Sequence, residues 1–199
     1  MTNEFNAWLA GFKTTDLWAA MARTVEDSPW HREANVGVHT EMLLDVWRTA
    51  IQPTRPPRQA LFTAIACTFH DTGKPPAEIH KFSEARGNYR AYHGHEQVSA
   101  RLWTDYALSN PEFMARFSLS LADVSNLAFA IEHHVPFDMK DAQKRRALKA
   151  TFFDRGGKEL HQSWLDLLYC DQYGRTSDDQ EVKLARVHDW LRDWENVYV

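Results

Sequence analysis

Cysteine is scarce: Cys67 and Cys170 are the only two in 199 residues. That is too few for a disulfide framework and points to a reducing, cytoplasmic setting. Long apolar runs are missing too, and none approaches the ~20 residues a helix needs to cross a bilayer, so no membrane role is expected. The opening Met1-Thr2-Asn3-Glu4-Phe5 lacks the basic and apolar blocks of a secretion signal. Excess charge of one sign is absent, with a net charge of −4. Nothing global therefore draws the chain to nucleic acid or to acidic lipid, and any phosphate binding must come from local charge or a metal. There is no internal repeat, no low-complexity tract and no Gly/Ser linker, so one compact domain is the simplest organisation. No alternating stretch is long enough to demand a strand.

What is present reads as helix. Apolar residues make up 44% of the chain and charged residues 25%, ordinary values for a globular protein. Apolar positions recur at three-to-four spacing: Leu43, Val46 and Trp47 after His39, Leu61, Ile65 and Phe69 before His70, Trp164, Leu167 and Leu168 before Asp171. Gly73 with Pro75 and Pro76 is expected to stop the helix that carries His70, and Pro53, Pro56 and Pro57 separate it from the preceding one. Gly174 closes a later helix, and Ser177 with Gln180 resembles a capping box. That box would open a last helix with Leu184, Val187, Leu191 and Trp194 on one face. The expectation is an all-α single-domain bundle of about eight helices with a longer loop over 75–93.

Histidine is abundant, at ten residues. Taken in order with the matching acids, the chain presents His39, His70-Asp71, His95, His133-His134 and Asp171. Imidazole nitrogen and carboxylate oxygen together hold divalent ions such as Mn, Fe, Ni, Co or Zn. Adjacent His70 and Asp71 at a helix end can turn toward one point, with His39 and Asp171 arriving from other helices. Two His and two Asp leave positions open for water and a phosphate oxygen. The dipeptide alone means little, since His188-Asp189 repeats it where the neighbours show no ligand pattern. Neighbours on a regular helix diverge by ~100°, so only one of His133 and His134 can face a shared site.

The string His70-Asp71-Thr72-Gly73-Lys74-Pro75 resembles the His-Asp-x-Gly-Lys core of HD-domain hydrolases. Trp30-His31-Arg32-Glu33 through Val38-His39-Thr40 resembles the segment that brings in their first histidine. Tyr92-His93-Gly94-His95-Glu96, Glu132-His133-His134 and Asp171-Gln172-Tyr173-Gly174-Arg175 are similar to later steps in the HD domain of bacterial CCA-adding enzymes, the tRNA nucleotidyltransferases. The resemblance implies a single HD-domain helical bundle over 30–178, after an N-terminal helical extension over 1–29 and before a C-terminal helix over 179–199 packed on the same domain. It implies one or two divalent ions (Mn, Ni, Co, Fe, Mg or Zn) at His39, His70, Asp71 and Asp171, with His95, His133 and His134 as further candidates. Glu132-x-His134 fits the spacing of that family, so the resemblance favours His134 over His133. Asp71, Lys74, His95 and Arg175 would be catalytic, and Lys74, His95, His134 and Arg175 would contact substrate. The implied activity is metal-dependent hydrolysis of phosphoesters in nucleotides or RNA ends by metal-activated water, of the 2′,3′-cyclic phosphodiesterase, 2′-nucleotidase or phosphatase type. The Gly-Ser and paired-Asp motifs that nucleotide addition requires are both missing.

Other readings stand beside these. The same metal site serves nucleoside mono- or triphosphate hydrolysis, and a metal-stabilised nucleotide- or RNA-binding module with little turnover would use the same ligands. Lys74 can serve as a helix-end cap and Arg175 as a solvated turn residue. The basic run 140–158, with Lys144, Arg145, Arg146, Lys149 and Arg155, is a candidate surface for nucleic acid, but such runs are more often solvated helix faces. The eight tryptophans read as packing rather than as a base-stacking platform.

Overall fold

The helix over 57–69 has no polar face to give to solvent, and in the computed structural model it becomes the centre of the molecule. The structure describes residues 2–28, 31–84, 87–135 and 141–177, with the isolated positions 181, 184, 189 and 191–193. The elements run α1 (Thr2–Phe12), α2 (Asp16–Arg23), β1 (Val25–Ser28), β2 (His31–Asn35), α3 (Val36–Val46), a π-helical turn (Trp47–Ile51) and α4 (Pro57–Phe69). They continue with α5 (Lys74–Ala77), β3 (Ile79–Ser83), β4 (Gly87–Ala91), α6 (His95–Ser109), α7 (Pro111–Arg116), α8 (Leu121–Glu132) and α9 (Ala142–Tyr173). Every residue of α4 from Ala60 to Phe69 is buried, as expected of a helix enclosed on all sides by others. Pro57 occupies its first turn, where a missing N–H costs nothing.

The protein is mostly helical, but the all-α expectation needs correction: β1 with β2 and β3 with β4 form two antiparallel hairpins. Both escape a reading by periodicity because their strands are four or five residues long and mostly polar, as in His31–Asn35 (HREAN) and Ile79–Ser83 (IHKFS). The region 75–93 is accordingly not a long loop but the end of α5 followed by a hairpin. Pro75 and Pro76 do not stop a helix; they lie in the first turn of α5, just after Gly73. His39 is reached through a strand, β2, whose last residue Asn35 caps α3 by accepting from Val38 N at 2.9 Å. The helix read around Leu184, Val187, Leu191 and Trp194, and most of its capping box, falls outside the described residues.

Aromatic residues build the main core. Phe5, Trp8 and Phe12 of α1 pack with Phe69 of α4, Trp103 of α6, and Phe113 and Phe117 in and after α7. A smaller cluster joins Ala130 of α8 to Leu148, Phe152, Leu160, Trp164 and Leu168 of α9. That helix is interrupted at Gly157, whose φ of 65° and ψ of −161° are non-helical. Its second part then runs back along α4, with Leu165, Leu167 and Leu168 buried.

Candidate metal centre

Helix ends deliver most of the polar side chains to one buried point. His70 is the C-cap of α4 and Asp71 follows it; His95 is the first residue of α6; His134 lies one residue past the cap of α8; Asp171 sits in the last turn of α9. His39 projects from the middle of α3, on the face that also buries Val36 and Leu43. Two glycines let these ends approach. A Cβ on Gly73 would stand 2.2 Å from the His95 carbonyl oxygen, and one on Gly174 2.7 Å from Leu43 Cα and N. Gly174 closes α9 as its sequence position suggests, and both glycines also allow close backbone contact between ligand-bearing helices.

The four imidazoles share one orientation. Their Nδ1 atoms face backbone carbonyls: His39 faces Gly174 O at 3.2 Å, His70 faces Cys67 O at 2.9 Å, His95 faces Tyr92 O at 2.8 Å and His134 faces Ile131 O at 2.7 Å. A carbonyl only accepts, so each Nδ1 carries a proton, and a ring with no second proton presents a bare Nε2 inward. There His39 Nε2 and His70 Nε2 lie 3.4 Å apart, and His95 Nε2 and His134 Nε2 lie 3.2 Å apart. Two lone pairs at that separation repel unless a proton or a metal ion stands between them.

Asp71 lies between the two pairs. Its Oδ2 is 3.1 Å from His70 Nε2 and 3.6 Å from His39 Nε2, and its Oδ1 is 3.1 Å from His95 Nε2 and 3.5 Å from His134 Nε2. That Oδ1 is buried with no hydrogen-bond partner among the described residues. Asp171 Oδ1 meets His39 Nε2 at 3.1 Å, while its other oxygen is paired with Arg175. His39, His70 and Asp171 form one compact ligand group, with His70, Asp71 and His134 forming another. The donor set and the unpartnered oxygen both fit a divalent cation, and this buried cluster could hold one.

The charges agree. Four carboxylates are buried here, on Glu26, Glu33, Asp71 and Asp171. Lys74 Nζ answers two of them, at 2.6 Å from Glu26 and 2.8 Å from Asp71, and Arg175 answers Asp171. Burial alone would raise the Asp71 carboxyl, but His70 and Lys74 beside it hold it well below the usual carboxylate range. Burial likewise works against the Asp171 carboxylate, and Arg175 and His39 keep it ionised. His39 shows the remaining demand for positive charge. Burial would pull its pKa down, yet Asp171 and Glu33 push it up to about 9. Without a metal, a proton on this ring supplies the missing charge.

Not every residue singled out in the sequence arrives here. His133 turns away, its Nδ1 on Phe129 O at 2.9 Å and its ring against Phe129. Lys74 is 5% exposed and directed at carboxylates. Arg175 also donates from Nε to the Asp171 carbonyl at 2.9 Å. Of the basic run, Lys140 is outside the described residues, Lys149 is buried, and Arg155 lies over the Phe129 ring. Of the second His-Asp pair, His188 lies outside the described residues. Periodicity did not mark Glu26, Glu33 and His31 as site residues. The available signal was His31-x-Glu33 just before a capped helix, since alternate strand residues share a face.

A comparison with curated proteins relates the chain to an A-adding tRNA nucleotidyltransferase of Deinococcus radiodurans, 30% identical over 135 residues. The match covers 65% of this chain but only 27% of that protein. No family model matches the chain, and no solved structure matches it. Among the described residues no helix is long and apolar enough to cross a membrane.

Proposed function

We propose that this protein is a divalent-metal-dependent phosphohydrolase of the HD type, acting on a nucleotide or an RNA-end phosphoester. The observation that carries the reading is the convergence of four inward-facing Nε2 atoms on Asp71, one of whose buried oxygens has no hydrogen-bond partner among the described residues. His39, His70, Asp71 and Asp171 would hold one ion (Mn, Ni, Co, Fe, Mg or Zn), and His95 and His134, on the other side of Asp71, would hold a second. Such an ion, when bound, makes water acidic enough to serve as a nucleophile near neutral pH and neutralises phosphate oxygens. The tRNA named in the relative's description supports an RNA-related substrate.

The chain's own residues would do the rest. The carbonyls of Gly174, Cys67, Tyr92 and Ile131 hold each imidazole in the tautomer that offers Nε2. His95 and Arg175, with side chains 14% and 12% exposed, are members of the cluster that solvent reaches. They are the groups we assign to the substrate phosphate, Arg175 through the guanidinium nitrogen that does not face Asp171, and His95, when no second ion occupies its Nε2, as a proton carrier. Lys74, beside Asp71, would offset charge as the phosphate becomes more negative in the transition state. Turnover screened across 2′,3′-cyclic nucleotides, 2′- and 3′-monophosphates and nucleoside triphosphates, each with several divalent ions, tests the proposal. Metal-dependent release of product from the cyclic or 2′-phosphate substrates is expected. No turnover of any of them with any ion would overturn it.

A further inference from the structure

The hairpin ahead of α3 contains a carboxylate with a lopsided set of partners. Glu33 is buried, and its Oε1 lies 3.1 Å from His39 Nδ1, 3.2 Å from His31 Nδ1 and 3.2 Å from the Thr176 amide nitrogen. Its Oε2 is buried with no hydrogen-bond partner among the described residues. A carboxylate kept only to satisfy donors would share them between its oxygens, and burying an anion that is half used is unfavourable. The used oxygen faces the outer nitrogen of His39, whose inner nitrogen lies 3.1 Å from Asp171. The same oxygen takes the amide of Thr176, and Arg32 N donates to Thr176 O at 2.9 Å. One strand residue thus touches His39 and also the segment leaving Asp171.

We propose that Glu33 is a positioning residue for the metal centre. By sharing the Nδ1 proton of His39 with the Gly174 carbonyl, its negative charge keeps Nε2 turned inward and makes the ring a stronger donor, as carboxylates behind metal-bound histidines do. Its bond to Thr176 holds the chain beyond Asp171 at a fixed distance from the same ring. His31 and the Gly174 carbonyl are neutral partners and do not replace its charge. The proposal rests on the reading of His39 and Asp171 as metal ligands, and the experiment separates the two.

Cobalt(II) is titrated into metal-free wild type, Glu33→Gln and Glu33→Ala, with affinity read by calorimetry, coordination by visible absorption, and the fold by the melting temperature without metal. Glu33→Gln keeps the shape and loses the charge. It is expected to melt near wild type yet to bind cobalt about tenfold more weakly with an altered spectrum. Glu33→Ala is expected to lose roughly 10–100-fold. Wild-type cobalt affinity and spectrum in Glu33→Gln would overturn the proposal, reducing Glu33 to a staple between β2 and Thr176 while the metal reading stands. Should wild type itself take up no cobalt, the metal reading falls and this proposal with it.

Discussion

Phe69 and His70 are neighbours in the chain, yet their side chains enter two buried regions built on opposite principles. The Phe69 ring packs 5.1 Å from the centroids of Phe12, Trp103 and Tyr106. Polar atoms in that region find partners: Trp8 Nε1 donates to Tyr106 O–H at 2.8 Å and Trp103 Nε1 to the Val124 carbonyl at 2.9 Å. One residue later, His70 joins a group in which imidazole Nε2 atoms lie 3.4 Å and 3.2 Å apart in pairs and Asp71 Oδ1 has no hydrogen-bond partner among the described residues. The first region satisfies its own polar atoms, whereas the second gathers a donor set that could hold a cation. Stability should therefore reside in the aromatic layer and chemistry in the polar one, where burying carboxylates costs free energy.

The sharpest way to break this comparison is Asp71→Ala. Metal-dependent phosphohydrolysis should fall to background while the helical circular-dichroism signal persists. If turnover survives, Asp71 is not a ligand that matters; if the metal-free variant unfolds, the polar layer supports the fold after all. The counterpart in the aromatic layer is Trp103→Ala. It should remove about 3–5 kcal/mol from urea unfolding, because Trp103 is fully buried and the cavity is enclosed. Cobalt affinity of the folded fraction should stay near wild type. A stability loss below ~1 kcal/mol would mean the layer collapses around the gap.

The comparison also explains what the sequence made legible. Helical periodicity located α3, α4 and the second part of α9, because their apolar faces are long and regular. The hairpins β1–β2 and β3–β4 escaped it: their stability comes from strand pairing and from neighbours such as the Tyr92 hydroxyl on the Val25 carbonyl at 2.6 Å, not from an apolar face. Ordered His and Asp positions predicted which side chains would meet, since ligand chemistry constrains residue type. The family resemblance favours His134 over His133, and in the structure His134 lies in the cluster while His133 packs on Phe129. Glu26 and Glu33 were missed because a buried acid on a short polar strand looks like a surface charge.

Gly174→Ala acts where the two regions are fastened together. The new methyl would meet backbone of Leu43, so α3 and α9 must separate. A loss of about 1–3 kcal/mol is expected, with cobalt binding weakened because those helices carry His39 and Asp171. Unchanged cobalt affinity would show that the ligands tolerate helix displacement. A milder probe is pH. Burial, with Lys149 nearby, pulls His161 down from 6.5 to about 4. The unfolded chain then binds more protons than the folded one between those values, so stability falls as pH drops through that window. His31 is pulled from 6.5 to about 4 by burial and Lys74, and adds to the same fall. Urea midpoints measured from pH 7 to pH 4 should decline less steeply in His161→Phe than in wild type, and parallel curves would remove His161 from the account.

The smallest effect belongs to the second His-Asp pair. Asp189 is 72% exposed and pairs with Arg192 one turn along, itself 65% exposed. An ion pair so open to water gains little, because solvent screens the charges and two mobile side chains lose freedom in making it. Asp189 is also absent from every group of close potential ligands among the described residues. Asp189→Ala should therefore leave turnover, cobalt affinity and melting temperature where they are. The measurement is informative because it holds the dipeptide constant and varies only its surroundings: Asp71 is buried among four imidazoles, a lysine and other carboxylates, whereas Asp189 faces water. A loss of rate at Asp189 comparable to that at Asp71 would mean that burial and convergence, on which the whole distinction between the polar layer and the surface rests, are not what makes a His-Asp pair reactive in this chain.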